Sequence, residues 1–361
     1  MKHYQMRFSV IFRLVIKLLL VPVLFSCQTN SSNLVNSPNP HLFPQQFHTR
    51  GNQFVDDQGN QITFHGVAIV DPLVLASGER PDLGVWEEKL FETIHNWGAN
   101  IVRLPIHPPH FREMGEDRTL EIIEQAVQWA ERYKLYIIID FHGLGFPPDG
   151  TNMVDWAATD EQETIKFWKC ISGYFVDNPI VAFYELYNEP GRETSGRATP
   201  SDWSVWKNFC ENIIDVIREK DPNKIVLVGA LDYGNNLYHV SDNPVNRPNV
   251  GYTCHPYPRQ SRWISWYEAF GRTAKKYPVI LTEWGFENHQ TEDQLINEAT
   301  FDGPGRYRDE LMKYTERRGI GWVAWVFSDQ WSPRLLDDSD YTPSEFGEFV
   351  QKKLIEYQIR K

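Results

Sequence analysis

Eight short apolar runs, rich in β-branched and aromatic residues, recur along this chain at 63–69, 100–105, 136–141, 181–187, 225–229, 250–254, 279–283 and 321–326. Each is near-continuously apolar rather than alternating, as parallel strands covered on both faces should be. The segments between them carry a helical repeat: Leu120, Ile123, Val127 and Ala130 line up in one, Val205, Phe209, Ile213 and Ile217 in another. Eight strand–helix alternations predict an α/β fold, a (β/α)8 TIM barrel filling a single domain over 47–358. Asp56-Asp57-Gln58-Gly59-Asn60 predicts a small hairpin ahead of the barrel, Ser201 after Pro200 an N-cap, and Asp221-Pro222-Asn223 a helix stop. Turn residues between Leu231 and Asn249 leave room there for only a short helix.

The amino terminus reads differently. Lys2, Arg7, Arg13 and Lys17 precede an apolar stretch from Leu18 to Phe25, and Ser26-Cys27 follows, so 1–26 is expected to be an export signal too short to span a bilayer. Leu24-Phe25-Ser26-Cys27 resembles the lipobox of bacterial lipoproteins, which would make Cys27 a lipidated first residue and the N-terminal lipid the only membrane attachment. Residues 27–46, rich in Ser, Asn and Pro, read as a flexible tether. The remaining Cys170, Cys210 and Cys254 have neither the number nor the spacing of a disulfide framework or zinc site, so free thiols and no metal or cofactor are expected. A net charge of -12 without a basic stripe argues against nucleic acid as a partner. The 13 Trp and 14% aromatic residues are high; about half are expected to pack in the core, and exposed ones would suit a groove that stacks flat sugar faces.

Chemistry concentrates where the apolar runs end. Glu189 in Tyr-Asn-Glu-Pro and Glu283 in Leu-Thr-Glu-Trp-Gly each close a run, where barrel enzymes carry reactive groups, and a carboxylate pair is what glycoside hydrolysis needs. At other run ends stand Arg103 in Ile-Val-Arg-Leu-Pro, His142 in Ile-Ile-Asp-Phe-His, Asn188, His255-Pro256-Tyr257, and Trp325 in Trp-Val-Ala-Trp. In this ordered set the chain resembles family 5 of the glycoside hydrolases, over about residues 47 to 355. The resemblance implies a retaining mechanism with Glu189 as acid/base and Glu283 as nucleophile. It further implies that Asn188 bonds the sugar 2-hydroxyl, that Arg103 and Tyr257 hold Glu283, that His142 and His255 bond sugar hydroxyls or orient Glu189, and that Trp325 floors the ring at the cleavage point. Glu189, expected to be free of a nearby cation, should have its pKa raised.

Other residues are less distinctive. Glu185 shares a strand with Glu189, though an internal bond to Arg or Tyr explains it equally well. Trp86, His107, Trp156, Tyr233 and Trp331 fall in or near loops that could line outer sugar subsites, about half of them serving as packing. His65 precedes its loop, and where many family members carry a His after the first strand this chain has Ala68-Ile69-Val70-Asp71-Pro72, so the neighbouring subsite should differ. A metal-dependent hydrolase would need a first-strand ligand set that the first run lacks, and no Gly-x-Ser-x-Gly elbow offers a serine nucleophile. A non-catalytic carbohydrate-binding lipoprotein is the rival of another class. The family resemblance favours endo-acting cleavage of β-1,4-glucan by a monomer, with mannan, xyloglucan, mixed-linkage glucan and exo-β-glucosidase action as alternatives.

Overall fold

The computed structural model describes residues 43–151, 153–192, 196–259, 264–287 and 306–359. The predicted signal segment 1–26 and Cys27 lie outside the described residues, as does the tether up to residue 42.

Strands β1 (Phe47–Arg50), β2 (Gln53–Asp56) and β3 (Gln61–Ile62) form a small antiparallel sheet. Its β2–β3 turn is the predicted hairpin: Asp56 Oδ1 accepts the backbone N–H groups of Gln58 and Asn60 at 3.0 and 2.8 Å. The barrel begins with β4 (His65–Ile69), β5 (Ile101–Ile106) and β6 (Tyr136–Phe141). After the two-residue β7 (Leu144–Gly145) come β8 (Val181–Glu185) and the equally short β9 (Glu189–Pro190), then β10 (Ile225–Gly229), β11 (Val250–Thr253), β12 (Val279–Leu281) and β13 (Gly321–Phe327). Strands β4, β5, β6, β8, β10, β11, β12 and β13 pair in parallel in that order, and β13 returns to β4 to close the barrel. The eight predicted runs are these eight strands, displaced by no more than two residues at either end, because burial on both faces forces the continuous apolar pattern.

Aromatic side chains fill the barrel's N-terminal end. Phe183 meets Phe54 and Phe64 edge-on at 5.0 and 4.9 Å between ring centroids, and Tyr136 meets Phe47 at 4.9 Å. The β1–β3 sheet thus plugs the base. Residues 43–46, assigned above to the tether, belong to that plug: the Phe43 ring lies 5.0 Å from Tyr136, whose hydroxyl accepts the Gln45 N–H at 3.0 Å.

The helix Glu116–Arg132 buries Ile123, Val127 and Ala130 as its spacing predicts. In Pro200–Arg218 the buried stripe runs through Trp203, Trp206, Phe209, Ile213 and Ile217, and Val205 faces solvent instead. That helix is capped by Thr199, in a reciprocal pair with Asp202, rather than by Ser201. Proline lacks an N–H and its fixed φ suits the first helical position, which puts the cap one residue before Pro200. Between β10 and β11 only single turns form, Leu231–Gly234 and Tyr238–Ser241, as the turn-rich sequence predicts. Cys210 and Cys254 are buried and Cys170 partly so, all three as free thiols.

Candidate active site

Side chains alternate along each strand, so inward positions near the strand ends converge at one mouth of the barrel. There the apolar filling gives way to charge. Arg103 on β5 is fully buried and reaches the ends of β8 and β12 at once: Nε bonds Glu185 Oε2 at 2.7 Å, Nη1 bonds Glu283 Oε1 at 2.7 Å, and Nη2 bonds Asn188 Oδ1 at 2.8 Å. Nη2 also lies 3.0 Å from Asp140 Oδ2. Tyr257 donates its hydroxyl to Glu283 Oε2 at 2.9 Å, so both oxygens of that carboxylate are held.

Glu189 is placed by an extension of the sheet beyond the barrel rim. β9 pairs in parallel with β7, and the Glu189 N–H bonds Gly143 O at 3.1 Å. This carries its side chain over the mouth, where it is partly exposed while Glu283 below is buried. One carboxylate oxygen of each glutamate and a ring nitrogen of His255 all lie within 4.8 Å of one another. His255 Nδ1 is 2.9 Å from Glu189 Oε1 and 3.7 Å from Glu283 Oε2.

The sequence profile of Cellulase (glycosyl hydrolase family 5) matches residues 55–330, most of the chain and every residue of this cluster. The chain belongs to glycosyl hydrolase family 5. Among solved structures it is similar to the β-glucanase SdGluc5_26A of Saccharophagus degradans, at 34% identity and a TM-score of 0.79, covering 88% of this chain and 94% of that one. Among curated relatives, endoglucanase E-5 of Thermobifida fusca is 26% identical over 292 residues, and endoglucanase A of Evansella cellulosilytica is 26% identical over 273. These alignments take in 77% and 72% of this chain but 55% and 51% of the relatives, so the chain spans about half the length of the curated proteins it matches.

The electrostatics of this family 5 site divide its acids. Burial pushes the Glu189 carboxyl above its ordinary range, against an opposing hydrogen bond from His255. Sequence alone placed no cation beside Glu189, but the structure puts His255 there. Burial by itself would lower the His255 pKa, yet Glu283, Glu185 and Glu189 around the ring lift it to about 10. Burial also opposes the charge of Glu185, and Arg103 and His255 overcome it and hold that carboxyl below the usual range. Glu185 is therefore the internal partner of Arg103, the plainer of its two readings. Asp140 goes the other way, pushed well up by burial despite Arg103, and its Oδ2 meets His142 Nδ1 at 2.6 Å.

His142 and Trp325 stack at 5.2 Å with their rings 4° from parallel, and Trp331 stacks beyond Trp325 at 6.2 Å. His107 lies against His142 at 4.5 Å, with Trp156 and Trp331 at 5.9 and 6.0 Å from its ring. Of the five loop residues singled out from sequence, Trp156 and Trp331 thus gather on His107, and Trp331 also meets Trp325. Tyr233 reaches the rim near β9, packed over Gly191, where a Cβ would come within 2.2 Å of the tyrosine ring. Trp86 turns away: its Nε1 bonds Gln125 at 2.8 Å and its ring packs on Trp129 and Phe91, so it is a packing residue.

Sequence reasoning missed Asp71, which follows the first barrel strand where the family's His was absent. Asp71 Oδ2 takes the His107 N–H at 2.9 Å and faces Nδ1 of both His107 and His110, at 2.9 and 2.8 Å, while Oδ1 takes the Leu73 N–H at 2.8 Å. Burial opposes its charge, but the two histidines hold its pKa at about 2. In the sequence, Ala68-Ile69-Val70-Asp71-Pro72 marked only a departure from the family's pattern; the use of Asp71 depends on His107 and His110 arriving from the next strand's loop.

Proposed function

We propose that this chain is a retaining, endo-acting hydrolase of β-1,4-linked glucan, working by double displacement with Glu283 as nucleophile and Glu189 as acid/base. The observation that carries this reading is the approach of the two carboxylates to within 4.8 Å, since retaining enzymes hold their pair about 5 Å apart and inverting enzymes leave room for a water between.

The surroundings fit those roles. Glu283, gripped by Arg103 and Tyr257, is aimed for attack on the anomeric carbon, and Glu189, with its raised pKa, protonates the departing oxygen. Asn188 Oδ1 is taken by Arg103, which leaves the amide N–H2 to donate to the sugar 2-hydroxyl, a contact that strengthens as the oxocarbenium-like state forms. Trp325 offers an apolar face to the ring. Water then attacks the glycosyl-enzyme with Glu189 as base. The β-glucan assignment draws on the SdGluc5_26A similarity, a β-glucanase also solved in complex with cellotetraose, and on the endoglucanase relatives.

The deciding experiment incubates the purified chain with a panel of β-glucans, xyloglucan and mannan and follows the anomeric protons of the first products by NMR. Rapid formation of β-configured oligosaccharides from β-1,4-glucan, lost in Glu283→Ala, is expected. α-Configured first products would overturn the mechanism, and a preference for mannan would overturn the substrate. Export and lipid attachment through Cys27 are proposed on the N-terminal motif alone; Cys27→Ser should release the protein from membranes.

A further inference from the structure

Thr282 stands between two groups that the reaction scheme leaves unexplained. Its Oγ1 is 2.7 Å from Glu185 Oε1 on one side and 3.0 Å from His255 Nε2 on the other. Glu185 is fully buried and ion-paired to Arg103, and a carboxylate only accepts hydrogen bonds. The single hydroxyl hydrogen of Thr282 therefore goes to Glu185. Its oxygen has only lone pairs left for His255, so Nε2 must carry a hydrogen.

We propose that Thr282, anchored on Glu185, is a positioning residue that fixes the hydrogen of His255 on Nε2 and thereby keeps the acid proton on the Glu189–His255 pair. The inference rests on the acid/base role of Glu189 proposed above. With Nε2 bearing a hydrogen, the contact between Nδ1 and Glu189 Oε1, at 2.9 Å, has room for one proton. While that proton is present the contact is a hydrogen bond, whichever atom holds it. Once it is gone, a bare nitrogen lone pair faces a bare carboxylate oxygen. Losing the proton to bulk water is therefore penalised, and after it has passed to the leaving group the same repulsion makes Glu189 a stronger base toward the incoming water.

The ring is held in place to do this. The His255 N–H bonds Gly234 O at 2.6 Å, and a Cβ on Gly234, whose φ is +79°, would sit 2.7 Å from Nδ1 and Cγ of the imidazole. Other charges facing the pair are Glu283, 3.7 Å from Nδ1, Glu185, 3.9 Å from Nε2, and Arg103 behind both, with Tyr257 on Glu283 and Asp140 and His142 farther along the mouth. All of these remain when Thr282 is changed, so a comparison of variants isolates the hydroxyl.

Thr282→Val keeps the shape and removes the hydroxyl. Neutral His255 is then free to carry its hydrogen on Nδ1 and to donate it to an ionised Glu189, which stabilises the deprotonated acid. The basic limb of kcat/KM on β-glucan should move toward acid by about one pH unit, roughly tenfold in proton affinity. Thr282→Ser should overlay the parent profile. On an aryl glycoside with a good leaving group the limb should not move in either variant. In parallel, 15N NMR of the histidine-labelled parent above the limb should find Nε2 protonated and Nδ1 bare, with the pattern reversed in Thr282→Val. A valine limb coincident with the parent's, or a parent His255 protonated on Nδ1 alone, overturns the proposal. Glu283→Ala separates the two failures: retained turnover there sinks the underlying mechanism, whereas the tautomer of His255 is read without any turnover.

Discussion

Arg103 and Glu185 are joined by a 2.7 Å ion pair between β5 and β8 with neither side chain exposed to solvent. The same guanidinium also binds Glu283 and Asn188 and lies against Asp140. One buried cation thus organises the proposed nucleophile, the proposed donor to the sugar 2-hydroxyl and the anchor of Thr282. Arg103→Met should destabilise the barrel by about 3–5 kcal/mol, because it strands carboxylates in the interior. Arg103→Lys should recover little activity, since an ammonium lacks the planar fork that meets several strands at fixed angles. Urea unfolding midpoints and kcat on β-glucan check both.

On the proposed mechanism, Glu189→Ala removes the proton donor and leaves the attack of Glu283 intact. Hydrolysis of polymer should fall by about 10²–10⁴-fold. Formation of the glycosyl-enzyme from an activated aryl glycoside should proceed near the parent rate, seen as a burst of released phenol. Equal loss on both substrates would contradict the acid role.

Acid stability has a separate source at the other end of the barrel. His65 opens β4, is buried, and stacks on Tyr357 at 4.0 Å with the rings 2° from parallel. Burial lowers its pKa from 6.5 to about 3, so the folded chain binds fewer protons there than the unfolded chain. Stability from this residue is complete above pH 6.5 and is lost as pH falls toward about 3, by roughly 5 kcal/mol in all. His65→Phe should retain the stack and flatten that decline, measured as denaturant midpoints from pH 7 to pH 3.

Trp156 is more than half exposed beside His107, whose ring also meets Trp331. Trp156→Ala should cost about 1 kcal/mol of sugar stacking, roughly fivefold in KM for long cello-oligosaccharides, with kcat little changed. Steady-state kinetics against chain length test this, and an equal penalty on the shortest substrates would remove Trp156 from the binding groove.

The fold was legible because parallel strands buried on both faces write themselves as continuous apolar runs, and the site because barrel chemistry gathers at the ends of those runs. Arg103, Glu189, His255 and Glu283 could be named from their places at run ends together with the family resemblance. Their couplings could not. That Thr282 links Glu185 to His255, or that Asp71 gathers His107 and His110, follows from which strands become neighbours when the barrel closes, and local sequence carries no record of that. Trp86 misled for a similar reason: a loop position tells where a residue lies in the chain and not which way it turns. Residues 43–46 were missed because Ser- and Pro-rich composition outweighed the single Phe43, whose worth lies in the Tyr136 ring it meets 93 positions later.

The aromatic plug beneath the barrel sets how this enzyme can be held. Phe43, the first described residue, lies against the start of β6, whereas Glu189 and Glu283 stand at or beyond the opposite ends of the strands. A grip taken on Phe43 itself would hold the molecule by its heel and leave the rim that carries the two glutamates facing away.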